Sequence, residues 1–212
     1  MPEAPYAADE TALLFIDPYN DFLSEGGKMW PLVKTVAEEV GLLANLRTIM
    51  AAVRRSGIQV FIVPHHRSEP GDFACWHHAT PYQKQSAAVQ VFARGEWGGE
   101  WRPEFAPQAG DVVVKEHWGS SGFANTDLDM QLKQHGIRRL VLIGLLANTC
   151  IETTAKFGVE LGYHVTLVRD ATAAFSQDRM HAAHELNGPT YAHAILTTME
   201  LLAQLPSRSL AD

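Results

Sequence analysis

The sequence predicts an α/β protein built on a parallel sheet with helices on both faces. Three observations carry that expectation. Short apolar runs of strand length alternate with longer segments whose apolar residues recur near helical spacing. The runs at 11–16 and 140–143 are apolar nearly throughout, as befits strands covered on both faces. Gly57, Gly136 and Gly162 each close a helical segment, as left-handed C-terminal caps do. With 212 residues and 46% apolar content the chain can bury a full core, and one domain spanning 1–212 is the most economical organisation.

The first strand, residues 11–16, runs straight into Asp17-Pro18, where proline ends the ladder and leaves a carboxylate at the strand's carboxyl end. A polar and aromatic loop follows, then one long amphipathic helix over 32–56. Residues 58–63 form the second strand, which Pro64 breaks just before His65-His66-Arg67. From 68 to 110 the pattern loosens into an aromatic-rich insertion holding Trp76, Trp97 and Trp101 and one short helix around 83–91, the profile of a lid or a contact between copies. Residues 111–115 restore the strand pattern and end in Lys115. A loop at 119–125 and a helix at 126–135 come next.

Residues 138–143 make the central strand, and Gly144-Leu145-Leu146-Ala147-Asn148-Thr149-Cys150 joins it to a helix over 151–162. Cys150 is therefore expected in the first helical turn, where unpaired N–H groups and the positive end of the dipole favour thiolate and can hold an oxyanion. The competing reading is a small buried hydrophobe. A strand at 163–168 ending at Arg169-Asp170, a helix at 177–186, a short strand at 195–196 and a last helix at 199–205 complete the chain.

In parallel sheets of this kind ligands bind beyond the carboxyl ends of the strands. Asp17 ends the first strand, Lys115 the third, and Cys150 follows the fourth, so all three are expected in one cleft: a base, a cation and a thiol. Asp17 would take the thiol proton, Lys115 would balance charge, and the thiolate would attack an amide or carbamoyl carbonyl. A formal net charge of −7 with scattered Lys and Arg argues against nucleic acid or a membrane surface as partner. No apolar run approaches the ~20 residues of a membrane span and no basic leader is visible, so a cytoplasmic protein is expected. Cys75 and Cys150 lie in different kinds of segment and do not suggest a disulfide.

Phe15-Ile16-Asp17 with Asp21-Phe22, Val113-Val114-Lys115 followed by Phe123-Ala124-Asn125-Thr126-Asp127-Leu128, and Gly144 to Cys150 with 162–171 together resemble the isochorismatase-like cysteine hydrolases over residues 11–205. The resemblance implies a three-layer, Rossmann-like fold with a six-stranded, mainly parallel sheet, assembled as a homodimer or homotetramer. It implies Asp17, Lys115 and Cys150 as the catalytic triad, a thioester intermediate, and a cis peptide between Leu145 and Leu146 that turns the Leu146 N–H, beside that of Cys150, toward the oxyanion.

Two departures from that pattern stand out. Nicotinamidases of this superfamily hold a metal through an Asp-x-His pair after the second strand; here the place reads Pro64-His65-His66-Arg67, without the Asp. Adjacent histidines on an extended chain point opposite ways. His65, His66, His77 and His78 are therefore read as pocket-wall residues, and neither metal nor cofactor is expected. The stretch from Lys115 to Phe123 is also longer than in many relatives. The expected activity is metal-independent hydrolysis of a C–N bond in a small amide, carbamoyl or ureido compound, with Phe22, His66, Trp76, Trp118 and Phe123 lining the pocket. The alternatives are isochorismatase-type vinyl-ether hydrolysis, which does not need the cysteine, and a non-catalytic interaction module. A dinucleotide site is disfavoured because the turn after Gly144 lacks the further glycines that phosphate approach requires.

Overall fold

The computed structural model describes residues 5–206, so the outermost residues of the expected 1–212 domain lie outside the described part. Six strands form one all-parallel sheet in the order β3-β2-β1-β4-β5-β6: β1 (Thr11–Ile16), β2 (Gln59–Val63), β3 (Val112–Val113), β4 (Arg139–Leu145), β5 (His164–Ala173) and β6 (Ala194–Leu196). The chain moves outward one way from β1 and the other way from β4. The carboxyl ends of those two neighbours therefore flank the point where the winding direction reverses, where open α/β sheets form their ligand crevice.

Alternation along the strands divides the core into two layers. Leu13 and Phe15 of β1, Val60 and Ile62 of β2 and Val141 and Ile143 of β4 face one layer, with Val33 and Val36 of α2 (Trp30–Glu39) and Leu46, Ile49 and Val53 of α3 (Leu42–Ser56). Leu14 and Ile16, Phe61 and Val63, and Leu140 and Leu142 face the other, with Leu128 and Leu132 of α5 (Leu128–Gln134) and Ala155 of α6 (Glu152–Glu160). A one-turn helix, α1 (Asn20–Leu23), follows β1. The insertion carries α4 (Pro81–Ala88), and α7 (Gln177–His181) and α8 (Thr198–Leu202) come late in the chain.

Three elements differ from expectation. The helix expected over 32–56 is two helices, because Gly41 takes a left-handed φ of +69° and Asn45 Nδ2 donates back to the Val40 carbonyl at 2.9 Å. The strand expected to stop at Arg169-Asp170 instead bulges there and continues. The pairing Leu142–Leu167 becomes Gly144–Thr172, and the core-facing parity flips between Leu167 and Ala171. The third strand is only two residues long, although Val114 N–H still donates to the Ile62 carbonyl at 3.1 Å.

Gly144 lets β4 lie close beside the end of β1. It pairs with Ile16 at φ +112°, and a Cβ there would sit 2.1 Å from the Ile16 carbonyl oxygen. Only glycine permits that approach, which sets the turn after β4 against Asp17.

Candidate active site

Asp17 follows the last residue of β1 in the left-handed region, at φ +56°. Its N–H is held by the Val63 carbonyl at 3.1 Å and its carbonyl accepts the Tyr19 N–H at 2.8 Å. The carboxylate is fully buried, with Oδ1 3.1 Å from His117 Nε2. The other ring nitrogen of His117, Nδ1, lies 2.7 Å from the Gly119 carbonyl oxygen, which can only accept. Opposite an ionised Asp17, both nitrogens must therefore carry hydrogen, and His117 is an imidazolium. Burial is the largest single influence and opposes the charge, but Asp17, the Gly119 carbonyl and Glu116 together raise the His117 pKa.

His117 occupies the place expected for Lys115. The β2–β3 partners are 51 positions apart at Phe61–Val112 and 52 apart at His65–His117, so one extra residue is inserted between Val113 and His117. His117 N–H donates to the Pro64 carbonyl at 2.9 Å and its own carbonyl accepts the His66 N–H at 2.8 Å, which fixes the ring inward. Lys115 is turned out: its side chain is exposed, its N–H is bound by Asp127 Oδ1 at 2.7 Å, and it does not line the cavity. The long stretch from Lys115 to Phe123 is the trace of that insertion.

Cys150 lies in a wide π-helical turn, Ala147–Ile151, that precedes α6, not in the first turn of an α-helix. The Leu146 carbonyl accepts from the Thr149 and Ile151 N–H groups at 3.1 Å each, and the intervening Cys150 N–H is not among its donors. The Leu145–Leu146 peptide is cis. The expected thiolate is not the resting form. Burial, then the charge and close approach of Asp17, push the thiol pKa well up, while the Thr149 hydroxyl and the Leu146 backbone pull more weakly the other way. Asp17, His117 and Cys150 each bring one reactive atom to within 4.8 Å of the other two. Asp17 Oδ2 has no partner among the described residues that meets hydrogen-bond geometry.

Those three side chains also have the composition of a metal cluster, but both His117 nitrogens are already committed inside the protein. Of the other histidines considered as ligands, His65 donates Nδ1–H to the His66 carbonyl at 2.9 Å. His66 stands between Asp72, 2.9 Å from Nε2, and Glu116, 3.4 Å from Nδ1. His77 and His78 are exposed. None of this forms a converging ligand set.

Above Asp17, His117 and Cys150 lies a cavity of about 680 Å³. Phe22, His66 and Trp118 line it as expected, with the His66 and Trp118 rings stacked 3.5 Å apart. Trp76 does not: it is 47% exposed and packs on the outer side of Phe73 and Trp118. Phe123 is buried in the opposite core layer against Phe157 and Tyr163. The sequence reading missed Tyr82, Gln83, Phe92, Asn148 and Arg179 in the wall. Thr80-Pro81-Tyr82-Gln83 carries a capping-box signature that would have started α4 two residues earlier, at Pro81, and drawn attention to Tyr82.

The insertion is fastened to the β1 loop. Tyr19 is stacked between Phe92 and Trp101, each 4.8 Å away, and the Arg67 guanidinium lies 4.7 Å from the Trp101 ring. Buried Asp21 accepts the Lys28 and Phe92 N–H groups at 2.8 and 2.7 Å. Gly98 passes so close that a Cβ would meet Asp21 Oδ1 at 2.4 Å. Glu116, held down to about 2 against the effect of burial by His66, the Arg67 N–H and the Arg94 and Arg67 guanidiniums, closes this rim.

Comparison with known proteins gives the same picture. The isochorismatase domain model matches residues 11–200. The ureidoacrylate amidohydrolase RutB of Serratia proteamaculans is 32% identical over 81% of this chain and 73% of its own length; that of Variovorax paradoxus is 30% identical over 91% and 76%. Among solved structures, N-carbamoylsarcosine amidase of Thermoplasma acidophilum aligns with a TM-score of 0.64 and 28% identity over 89% of this chain and 96% of its own. A cysteine hydrolase of Pseudomonas syringae aligns at 0.75 over 97% of both chains, where 24% identity speaks for the fold alone. With a six-stranded parallel sheet, a buried Asp and Cys facing each other across its switch point, and a family model spanning most of its length, this chain belongs to the isochorismatase family of hydrolases.

Proposed function

We propose that the protein is a cysteine amidohydrolase that cleaves a C–N bond of a small ureido or carbamoyl compound through a thioester held on Cys150. The observation that carries this reading is the meeting of the Asp17, His117 and Cys150 reactive atoms within 4.8 Å under one cavity. The activities of the relatives, ureidoacrylate amidohydrolase and N-carbamoylsarcosine amidase, support the ureido and carbamoyl class.

Asp17 takes the thiol proton as sulfur attacks the carbonyl carbon, while the His117 imidazolium offsets the gathering negative charge. The tetrahedral oxyanion is received by the Leu146 and Cys150 N–H groups. Collapse expels the amine, which takes the proton from Asp17 and leaves the acyl group on sulfur. Water then gives its proton to Asp17 and attacks the thioester, and the departing thiolate recovers that proton. A thiol that is neutral at rest suits this sequence, because the proton is already placed to be delivered to the leaving nitrogen. A second copy of the chain completing a homodimer or homotetramer, and a cytoplasmic setting, belong to the same proposal; among the described residues no helix is long and apolar enough to cross a membrane.

The test is ammonia release from a panel of ureides and simple amides, with intact-mass analysis of Asp17→Asn after mixing. The expected result is turnover by wild type, none by Cys150→Ala of unchanged melting temperature, and neither turnover nor an acyl adduct in Asp17→Asn, because the base is needed already for the attack by sulfur. Full turnover by Cys150→Ala would transfer the chemistry to vinyl-ether hydrolysis, which needs no nucleophile.

A further inference from the structure

The charges that line the cavity do not balance. Asp17 is answered by His117 beneath it. His65 is pulled down to about 4 by burial and its neighbour His117, so it is neutral at pH 7. His66 sits between Asp72 and Glu116. Arg179 is the remaining charged lining residue, and among the described residues it takes part in no ion pair. Its guanidinium lies 5.3 Å from the ring of Phe175, which also lines the cavity. The charged neighbours on its own helix, Asp178 and His181, line a separate groove beside Arg169 and Glu185. Arg179 is exposed at the edge of the cavity, and a guanidinium over an aromatic wall with no carboxylate paired to it among the described residues can receive an anion.

We propose that the substrate is a ureido or carbamoyl acid whose carboxylate is bound by Arg179, which makes Arg179 the residue that selects acids over neutral ureides. This inference rests on the amidohydrolase reading above and narrows it. A single fork-shaped cation suits a planar monoanion with two oxygens better than a phosphate, for which one would look for a second cation. Tyr82 and Gln83 of α4 line the same cavity and supply polar groups along the path. Burial, then Cys150, raise the Tyr82 pKa against the opposing pull of Arg179, so its hydroxyl stays a donor. A substrate with its carbonyl at Cys150 and its carboxylate at Arg179 would pass Tyr82.

The experiment uses a pair of equal chain length, 3-ureidopropionate and 3-ureidopropan-1-ol, which differ in charge at the far end and have the ureido group as their only source of ammonia. Ammonia release is measured with wild type, Arg179→Met and Arg179→Lys, each checked by thermal melting. A charge-assisted hydrogen bond of about 1.5–3 kcal/mol corresponds to a preference of roughly 10–100-fold. Wild type should show that preference for the acid, chiefly in KM. Arg179→Met should bring the ratio near one, and Arg179→Lys should keep part of it. Calorimetric titration of both compounds into Cys150→Ser, with and without Arg179→Met, reads the same preference without turnover. Equal use or binding of the two compounds by protein with Arg179 intact, or a preference that survives Arg179→Met, overturns the assignment. Arg179-dependent binding of the acid with no turnover of either compound would sink the amidohydrolase reading for this class and leave the anion site standing.

Discussion

An imidazolium in place of an ammonium changes how the site responds to pH. Lysine keeps its charge well past neutrality, whereas His117 has a pKa only raised from that of an ordinary histidine. Its charge is complete below that value and is lost as pH rises through it, so kcat/KM should fall on the alkaline side with one ionisation. His117→Lys should move that fall to higher pH, and superimposable profiles for the two proteins would contradict the role given to His117. Lys115→Met, by contrast, should change turnover by less than about twofold, as expected for a surface change away from the chemistry. The thiol makes a second residue-level prediction. Cys75 is exposed and Cys150 is buried with a raised pKa, so iodoacetamide at pH 7 should modify Cys75 first, as peptide mapping would show. The position of Cys150 beyond the central strand was legible in the apolar run ending at Gly144, but its protonation state was not. That state depends on a carboxylate 133 positions away in sequence and on burial that no local pattern records. His117 escaped notice because one extra residue beside a two-residue strand leaves no periodicity to read.

At the scale of elements, strand identity was readable wherever both faces are buried, as in β1 and β4, and poorly readable at the edge strand β3, where packing imposes less pattern. Tertiary contacts set the boundaries that differed. Asn45 ties the Val40–Gly41 break to the β5 bulge by donating to the Val40 and Asp170 carbonyls at 2.9 and 2.8 Å. Gly144→Ala should be among the most damaging single changes, because its Cβ would meet backbone rather than a movable side chain. A loss of more than about 4 kcal/mol in urea unfolding is expected. α4 presents the opposite case: none of its residues is buried, and its start rests on the reciprocal Thr80–Gln83 capping box. Thr80→Ala should weaken that end by about 1 kcal/mol. Since Thr80, Tyr82 and Gln83 line the cavity, the change should raise KM while leaving the melting temperature within a degree or two.

For the molecule as a whole, acid sensitivity has an identifiable source. His184 is buried; its Nε2 meets Thr172 Oγ1 at 2.9 Å, and Thr172 in turn donates to the Arg169 carbonyl, so the ring proton sits on Nε2. Nδ1 has no partner among the described residues, and burial lowers the pKa to about 4. Because the folded value lies below the unfolded one near 6.5, the unfolded chain binds a proton first. Stability is therefore lost as pH falls from about 6.5 toward 4, by up to about 3 kcal/mol from this residue alone. Urea unfolding at pH 7 and pH 5 should show the loss in wild type and a smaller one in His184→Gln; an equal loss in both would shift the effect to other groups.

The face-to-face stack of Trp118 on His66 also gives the cavity an optical signal of its own. An imidazolium accepts an electron from an excited indole at contact distance, whereas neutral imidazole does so poorly. Burial lowers the His66 pKa but Glu116 and Asp72 together raise it, so Trp118 should be dim while His66 carries its proton and brighten as the proton is lost. The difference between wild type and Trp118→Phe isolates that emission from the other tryptophans. Any ligand that parts the two rings should switch it on, so occupancy of the cavity could be followed by fluorescence, with no label and no turnover.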